Sequence, residues 1–322
     1  MYKKLVWLLF VLLLVSSCGP KKSNYTKVLY PIWGSTCEII YENNNKVDLL
    51  EGLDSIFNEL SLSFSNYDSN SMLTKINANQ SQQIDKHIYA LLETSKKMNA
   101  ISHGSFDPSI YPIVKLWGFM NKQGNWIDTT KIPEILRHVG LEKWAWNKDS
   151  IIRKPEKSMI DFNAIAPGYA ADVLALYMDG LGLKNYYINN GGELVLKGNN
   201  PKNKSWEIGI NSPINQETGD TVFNLSNIAL ATSGNYRNYF KHQGKKYGHT
   251  IAVKDGMPIF SNVLSATIFS KSAAEADALA TICMTMTKEQ AILFLKENNY
   301  KGYLIWDDAT GTEILPKSIG IY

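Results

Sequence analysis

Two oxygen-bearing side chains, Asp277 and Thr281, lie four residues apart in a segment of good helix formers, Glu-Ala-Asp-Ala-Leu-Ala-Thr. Residues at positions i and i+4 share one face of a helix, so the carboxylate and the hydroxyl point the same way. A hard cation such as Mg²⁺ prefers oxygen ligands and often shares them with substrate phosphates. The pair predicts a magnesium-binding helix, although a polar surface face or a Thr bonding its own backbone gives the same pattern.

A second segment, residues 161–170, joins an acid to a run of small residues. An apolar strand is expected to end at Asp161, a turn surrounds Ala164, and a helix is expected to begin near Pro167. Small residues let a large ligand approach the backbone, and a helix start offers free N–H groups and a positive dipole end to phosphate. An ordinary connection between a strand and a helix is the alternative interpretation.

Two further segments carry aromatic or titratable residues. Residues 104–108 are followed by Leu116-Trp117-Gly118-Phe119, whose rings could cover a flat ligand, although on its own this segment reads as a core Trp in a loop broken by prolines. Residues 231–239 lead to His249, which on its own reads as a hydrogen-bonded structural histidine. These segments become informative only in combination.

The composition is that of an ordinary globular protein. With 44% hydrophobic and 20% charged residues among 322, the chain has enough material for a core and no sign of low complexity. This length allows one large domain or two. The P-loop, dinucleotide-fold, zinc-protease, serine-hydrolase and paired-cysteine motifs are all absent from the sequence.

The N-terminus has the pattern of a bacterial lipoprotein signal. Lys3 and Lys4 precede an apolar run that is too short to span a bilayer, and Val-Ser-Ser-Cys-Gly follows it. We therefore expect residues 1–17 to be a signal peptide, Cys18 to carry the lipid and residues 18–26 to form a tether. An ordinary signal peptide that happens to be followed by a cysteine is the alternative.

The net charge bears on nucleic-acid binding, and the cysteine content bears on disulfide bonds. Removal of the signal peptide takes away two lysines and no acids, so the formal charge falls from +3 to +1. A nearly neutral chain gives no electrostatic reason to expect nucleic-acid binding. We expect the two remaining cysteines, Cys37 and Cys283, to be small buried hydrophobic residues; a disulfide between them is the alternative.

Periodicity predicts helices first and strands afterwards. Helices are expected over 46–62, 84–102, 132–139, 166–181 and 288–298, and in the segment that carries Asp277. Strands are expected over 158–162, 186–189, 194–197, 206–211, 221–225, 228–232, 247–253, 263–270 and 303–306. The sequence thus predicts one mixed α+β domain over 27–322, with a helix-rich N-terminal part packed on a mostly antiparallel sheet.

In this order and spacing, the motifs resemble the family of FAD:protein FMN transferases, formerly called thiamine biosynthesis lipoproteins. The resemblance extends from Trp-Gly-Ser-Thr at residues 33–36 to about residue 300. Its landmarks include Phe-Asp-Pro at 106–108, the segment 161–169, Asn-Asn-Gly-Gly at 189–192, Thr-Ser-Gly at 232–234 and the helix that carries Asp277.

The resemblance implies a role for each matching residue. Mg²⁺ would be held by Asp277, Thr281 and the backbone carbonyl of Ala164, and His249 would be the base that activates the acceptor hydroxyl. FAD would lie across Trp33, Tyr67, Ser105, Phe106, Asp107, Asp161, Pro167 and Ile251. Pro167 departs from the Lys, Glu or Gln common in the family, so a side-chain contact is missing at that position.

The implied activity is the Mg²⁺-dependent transfer of FMN from FAD to a Thr or Ser hydroxyl of an acceptor protein, with release of AMP. The acceptor would be a membrane redox subunit or an exported FMN-binding protein. The chain would be lipid-anchored in a bacterial cell envelope, on the periplasmic side in a Gram-negative cell. A Mg²⁺-dependent FAD pyrophosphatase and a non-catalytic FAD-binding lipoprotein are the alternatives.

Overall fold

The fold is built on a large antiparallel sheet. The computed structural model describes residues 24–118, 127–211, 219–235, 239–242, 245–248, 250–259, 261–308 and 316–321. The strands are β1 Tyr25–Ile32, β2 Ser35–Glu42, β3 Trp144–Trp146, β4 Ile151–Arg153, β5 Tyr186–Asn190, β6 Glu193–Lys197, β7 Trp206–Asn211, β8 Gly219–Leu225, β9 Ile228–Gly234, β10 Tyr239–His242, β11 Lys245–Gly248, β12 Val263–Ser270, β13 Lys301–Asp307 and β14 Pro316–Ile321. The α-helices are α1 Leu50–Phe64, α2 Met72–Asn77, α3 Lys86–Ile101, α4 Tyr111–Trp117, α5 Ile132–Leu136, α6 Ala166–Gly180, α7 Ala273–Met284 and α8 Lys288–Glu297.

Eight of these strands form the main sheet in the order β1-β2-β5-β6-β9-β12-β13-β14, and every neighbouring pair is antiparallel. Side chains alternate between the two faces of the sheet along β2: Cys37, Ile39 and Tyr41 are buried on one face, whereas Thr36 is exposed on the other. This architecture confirms the predicted mixed α+β domain with a mostly antiparallel sheet.

Helices cover one face of the sheet, which we call the inner face. The central pair is α6 and α7, which pack on each other and on β5, β6, β9 and β12, and α1 and α3 cover that pair. The apolar stripes of these helices, exemplified by Phe57, Leu91 and Leu174, are buried in one continuous core with Ile39 and Ile268 of the sheet. Both described cysteines, Cys37 and Cys283, are free thiols within it.

The opposite, outer face is covered by the two-stranded ribbon β7–β8. Trp206, Ile208 and Ile210 alternate towards the sheet and pack with Leu194 and Leu230 in a second apolar cluster. This cover explains why β12 is buried on both faces. Within the described residues, none of the helices has the length and apolar character needed to cross a bilayer.

Two strand predictions were wrong. Residues 158–162 form no strand, because side chains and loops take up their backbone groups: Asn77 bonds both the N–H and the C=O of Ile160, and Asp161 N–H donates to the Pro108 carbonyl at 2.9 Å. The strand predicted over 247–253 is instead the end of β11 and an isolated bridge between Ile251 and Pro258.

The chain also contains strands that the sequence did not predict, among them β1, β2 and β14. Tyr25 and Thr26, predicted to belong to the tether, are part of β1 because they pair with Glu42 and Tyr41 of β2. The fold therefore begins earlier than the predicted boundary at residue 27.

Candidate active site

The helix that carries Asp277 is fixed at its start by a carboxylate from the neighbouring helix. Asp172 of α6 accepts hydrogen bonds from the backbone N–H of Ala273 at 2.8 Å, from that of Ala274 at 3.0 Å and from Ser272 Oγ at 2.7 Å. These N–H groups have no partner within their own helix, so a buried acceptor stabilises the helix start. Asp172 thereby sets the position of α7 relative to α6.

Gly168 brings the two helices into direct backbone contact. A side-chain carbon at this position would overlap the carbonyl of Ala273, so only glycine allows this approach. At this contact the backbone N–H of Gly168 donates to Oδ2 of Asp277 at 3.2 Å. The start of α6 therefore orients the carboxylate on α7.

The first turn of α6 is already occupied by protein acceptors, so the prediction of free N–H groups for phosphate was wrong. Ala166 N–H donates to Phe162 at 2.7 Å, Gly168 N–H to Asp277 at 3.2 Å and Tyr169 N–H to Ile165 at 2.9 Å. Pro167 has no N–H, and its carbonyl accepts from Asn190 Nδ2 at 2.9 Å. A phosphate here would have to be bound through other groups.

The carbonyl of Ala164 is left available by the same arrangement. In a regular helix it would accept from Gly168, whose N–H is used by Asp277. Among the described residues, no donor bonds the Ala164 carbonyl, and Asp277 Oδ1 also has none. Both oxygens are therefore available to a ligand, and a hard cation is one that suits a carbonyl and a carboxylate.

Thr281 lies one turn beyond Asp277 on α7, as the sequence predicts for a helix. Its hydroxyl is 3.4 Å from Ser233 Oγ at the end of β9. The groups available at this point are thus a carboxylate, hydroxyls and a backbone carbonyl. All are oxygen atoms, which suits a hard cation such as Mg²⁺ and gives no soft sulfur or imidazole ligand.

Burial controls the protonation of the acids here. It raises the pKa of Asp277 to about 7, with the Gly168 N–H opposing the shift. Burial together with repulsion from Asp277 also raises the pKa of Glu193, at the start of β6, well above its usual range. A bound dication would reverse both effects, because it favours the ionised carboxylate.

We expect Mg²⁺ to bind about tenfold more weakly at pH 6 than at pH 8, because below a pKa of about 7 the cation must displace a proton from Asp277. The measurement is isothermal titration of Mg²⁺ into the protein at both pH values. Equal affinities at pH 6 and pH 8 would contradict a protonated Asp277 in the metal-free protein.

A second cluster surrounds Asp161. Its Oδ1 accepts from Asn66 Nδ2 at 3.0 Å and from the Asn163 N–H at 2.9 Å, and burial raises its pKa to about 6. Tyr67, 70% exposed, shares a hydrogen bond with Asn163, and Tyr111 lies close enough for the charge of Asp161 to raise its pKa further. Two predicted ligand-binding residues, Tyr67 and Asp161, are therefore brought together.

The loop of residues 105–108 joins this cluster, because Asp161 N–H bonds the Pro108 carbonyl. Within it, Phe106 is buried in the main core. Asp107 accepts from Ser109 N–H and Leu141 N–H, both at 2.8 Å, so its carboxylate holds the loop in shape. The Asp107 side chain thus stabilises the loop, whereas the backbone carbonyl of the next residue, Pro108, contacts Asp161.

Aromatic side chains extend the site on its other side. Trp33, 43% exposed at the turn between β1 and β2, packs edge-on against Phe64 with ring centroids 6.0 Å apart. Phe64 in turn packs against Tyr169 at 6.2 Å, in the first turn of α6. The described contacts therefore lead from Trp33 to the helix start beside Asp277.

Other predicted residues lie elsewhere or outside the described residues. Ile251 is buried in a neighbouring apolar cluster with Ile113, and Trp117 is a core residue of that cluster, bonding the Gly256 carbonyl. The prediction for His249 as a base and that for Cys18 as the lipid site fall outside the described residues. Their roles stay predictions.

Sequence reasoning missed several residues of the site. Glu193 directly follows the Gly-Gly turn and precedes the apolar residues Leu-Val-Leu at 194–196 in its strand, a position at which an acid is unusual. Asp172 carries no such signal, because its partners are backbone N–H groups of a distant segment. Asn190 belongs to the Asn-Asn-Gly-Gly landmark, but that motif does not reveal its contact with the Pro167 carbonyl. Gly168 could be recognised only after the contact between α6 and α7 was known.

Together, the antiparallel sheet and the paired helices α6 and α7 define an α+β fold whose candidate site is built from oxygen-bearing groups of α7, β9 and the start of α6. The sequence model of the ApbE family matches residues 33–304, and the chain belongs to this family. This confirms the family resemblance, whereas the roles that it implies for individual residues stay predictions.

Individual relatives agree with the family assignment. The chain is 29% identical over 297 residues to a protein from Vibrio cholerae named FAD:protein FMN transferase, and the match covers 89% of each. A protein of the same name from Buchnera aphidicola is 31% identical over 245 residues, covering 73% of this chain and 72% of the relative. The solved structure of the flavin transferase ApbE from Vibrio cholerae superposes with a TM-score of 0.83 at 26% identity, covering 92% of this chain and 97% of that one.

Proposed function

We propose that the protein transfers FMN from FAD to a Thr or Ser hydroxyl of an acceptor protein, and that Mg²⁺ is required. In this reaction a bond forms between the acceptor oxygen and the FMN-side phosphorus of FAD. The phosphorus–oxygen bond to the AMP part breaks, AMP leaves, and the hydroxyl proton passes to a base. The names of the relatives support the transfer, and the oxygen groups at α7 support the cation.

The observation that carries the proposal is the hydrogen bond from Gly168 N–H to Asp277. It directs one carboxylate oxygen to the start of α6 and leaves the Ala164 carbonyl and the second carboxylate oxygen for a cation. Asp277, Thr281 and Ala164 would hold Mg²⁺, which supplies positive charge to a transferring phosphoryl group and its leaving oxygen. Asp277 is better suited to this role than to that of a base, because a dication would keep it ionised.

The remaining side chains bind and orient the flavin nucleotide. The exposed rings of Trp33 and Tyr67 provide surface for a flat ring system, and the Asn-rich cluster around Asp161 provides hydrogen-bonding groups beside it. Because the N–H groups at the start of α6 are taken, binding of the pyrophosphate would rest on the cation and on the helix dipole.

Replacing His249 with Ala is expected to lower transfer by about 10²- to 10⁴-fold, as for loss of a general base, with little change in FAD affinity. The two quantities are measured separately, as single-turnover AMP release with saturating acceptor and as the dissociation constant for FAD. Equal losses in both would show that His249 binds the nucleotide instead of accepting the proton.

One experiment separates transfer from the two alternatives. The protein is mixed with FAD and Mg²⁺, with and without co-expressed candidate acceptors, and AMP and flavin-modified protein are followed by chromatography and mass spectrometry. Transfer predicts AMP only with an acceptor that gains the mass of FMN. AMP without an acceptor would indicate a pyrophosphatase, and no AMP in any mixture would indicate a flavin-binding protein.

The location of the protein is part of the proposal. The N-terminal pattern that ends at Cys18 supports attachment to a bacterial envelope membrane through lipid on that residue. Acceptors would then be membrane redox subunits or exported FMN-binding proteins on the same side. Replacing Cys18 with Ser should release the protein from the membrane fraction.

A further inference from the structure

A cavity of about 850 Å³ lies between the outer face of the main sheet and the strand β7. All six residues of β7 line one wall, and the other wall is the outer surface of β2, β5, β6 and β9. Because side chains of a strand alternate between faces, a wall made of consecutive residues exposes the edge of the strand. The cavity is therefore bordered by backbone as well as by side chains.

That edge of β7 is unpaired within the described residues. β8 pairs with β7 along its other edge, from Trp206 to Asn211. No other described backbone group bonds β7. In an antiparallel ribbon every second residue of such a strand directs its N–H and C=O groups outwards. A free edge of this kind is a template for an added strand from another chain.

The strand runs towards the proposed cation site. Trp206 lies at the far end of β6, where its ring nitrogen bonds the Lys197 carbonyl at 3.1 Å. Four residues later, Ile210 pairs with Thr221, whose hydroxyl is 2.8 Å from that of Tyr303. Tyr303 pairs with Thr267 of β12, and Thr267 pairs with Thr232, which lies two residues before the end of β9. The end of β7 at Ile210 is therefore on the same side of the sheet as the end of β9.

At this end the cavity is lined by residues that also contact the candidate active site. Ser233 lines it, and the Ser233 hydroxyl is 3.4 Å from that of Thr281. Gly191 lines it as well, and a side-chain carbon at this glycine would lie 3.6 Å from Glu193 Oε2. This end of the cavity therefore lies beside the end of β9 and the turn before β6, and the side chains of Ser233 and Glu193 lie next to the candidate active site on the other face of the sheet.

The lining changes character along the cavity. Leu194, Leu230 and Ile40 make the wall apolar towards Trp206, whereas small hydroxyl residues and glycines dominate near Ser233. An extended peptide matches both properties, because its backbone can pair with β7 and its alternate side chains can contact the sheet. Its residue nearest Ser233 would have to be small.

We propose that the acceptor protein binds by adding an extended segment to the free edge of β7, which places its Thr or Ser hydroxyl at the Ser233 end of the cavity. This inference rests on the proposed function, since it concerns the delivery of the acceptor hydroxyl. It adds the mode of recognition: main-chain pairing gives affinity, and the small residues around Gly191 and Ser233 select a short hydroxyl side chain.

The first test fills the cavity. Thr36 is exposed on the outer face of β2 and lines the cavity, so Thr36→Trp is expected to fold and to obstruct the segment. We expect the KM for the acceptor identified by mass spectrometry to rise at least about tenfold, as for loss of two hydrogen bonds, while the Kd for FAD stays within about twofold. Val222→Trp, on β8 at a position 60% exposed, is the matched control and should change neither value.

The second test addresses the backbone directly. A synthetic peptide with the sequence around the modified Thr is used to inhibit transfer to the whole acceptor, in three forms: unmodified, and N-methylated at alternate residues of either parity. An added strand uses one edge only, so one parity should weaken inhibition at least about tenfold and the other should be tolerated.

Any other result of these two tests contradicts the binding of the acceptor as an added strand on β7. Inhibition that is equal for all three peptides, or absent for all three, would exclude pairing along β7. An unchanged acceptor KM in Thr36→Trp would exclude the cavity as the docking site, and a raised Kd for FAD would assign it to the nucleotide. If wild-type protein modifies no acceptor, the proposed function itself fails and this inference fails with it. Transfer by the wild type therefore separates failure of the function from failure of the docking mode.

Discussion

Replacing Asp277 with Asn is expected to abolish Mg²⁺-dependent transfer and, in the absence of metal, to stabilise the protein at pH 8. The first effect follows because the neutral amide loses the charge that attracts the cation, while the shape and the acceptor for the Gly168 N–H are kept. We expect transfer to fall by at least about 10³-fold, as for removal of a group that stabilises transition-state charge.

The second effect has the opposite sign from most buried substitutions. The folded-state pKa of Asp277 is raised from 3.8 to about 7, so the stability that this group contributes in its protonated form is lost as the pH rises to that value. At pH 8 the metal-free protein holds a buried charge that Asn lacks. We expect the variant to be more stable there by roughly 2–4 kcal/mol and to lose this advantage near pH 4.

Glu275, two residues earlier on α7, is the matched control. Burial would raise its pKa, but hydrogen bonds from Lys97 and Ser270 outweigh burial, so its pKa lies below the ordinary value. Glu275→Gln should therefore lower stability at pH 8 slightly and leave Mg²⁺ binding intact. Thermal melts with EDTA and with Mg²⁺ at pH 5 and pH 8 measure both variants. An Asp277→Asn variant that still gains stability from Mg²⁺ would remove Asp277 from the metal site.

The parts of the site that the sequence predicts are those carried by local spacing. Asp277 and Thr281 fall on one helical face in any helix, and α7 has the expected extent around them. The turn at Ala164 and the start of α6 near Pro167 follow equally from small residues and a proline at the first helical positions. For these elements, the local pattern and the tertiary fold agree.

The predictions were wrong where a residue from a distant segment takes the backbone hydrogen bond that the local pattern assigns to another partner. The segment 158–162 has the composition of a strand, but Asn77 occupies the N–H and C=O of Ile160 that a neighbouring strand would use. The same holds for the start of α6, where Asp277 takes the N–H that the sequence assigns to phosphate. Neither of these long-range hydrogen bonds changes the local hydrophobic periodicity from which the elements were predicted.

The strands β1 and β2 were missed for another reason. Their residues lie next to the predicted signal peptide and tether, and β2 is a single strand in which Ile39 and Tyr41 alternate with less buried residues. Pairing with β5 from the middle of the chain makes them part of the sheet, since Ile39 is opposite Ile188 and Tyr41 opposite Tyr186. Long-range pairing of this kind cannot be read from either segment alone.

Gly168→Ala is expected to weaken Mg²⁺ binding at least about tenfold and to lower stability by about 1–3 kcal/mol, although the change adds a single methyl group. The new carbon would overlap the carbonyl of Ala273, which is backbone and has no rotamer to adopt. Helix α7 must then move away from α6, and Asp277 loses the hydrogen bond from the Gly168 N–H that directs its carboxylate to the start of α6.

The control for this change is the same substitution at the other end of the same helix. Gly180 is the last residue of α6, and a side-chain carbon there would meet nothing within 4 Å. Gly180→Ala should leave Mg²⁺ affinity unchanged and hold or raise stability by up to about 1 kcal/mol, because Ala has the higher helix propensity. Titration of Mg²⁺ and thermal melts compare the two variants. If Gly168→Ala binds Mg²⁺ like Gly180→Ala, the close approach of α6 and α7 has no role in the site, and the Ala164 carbonyl must be withdrawn as a ligand.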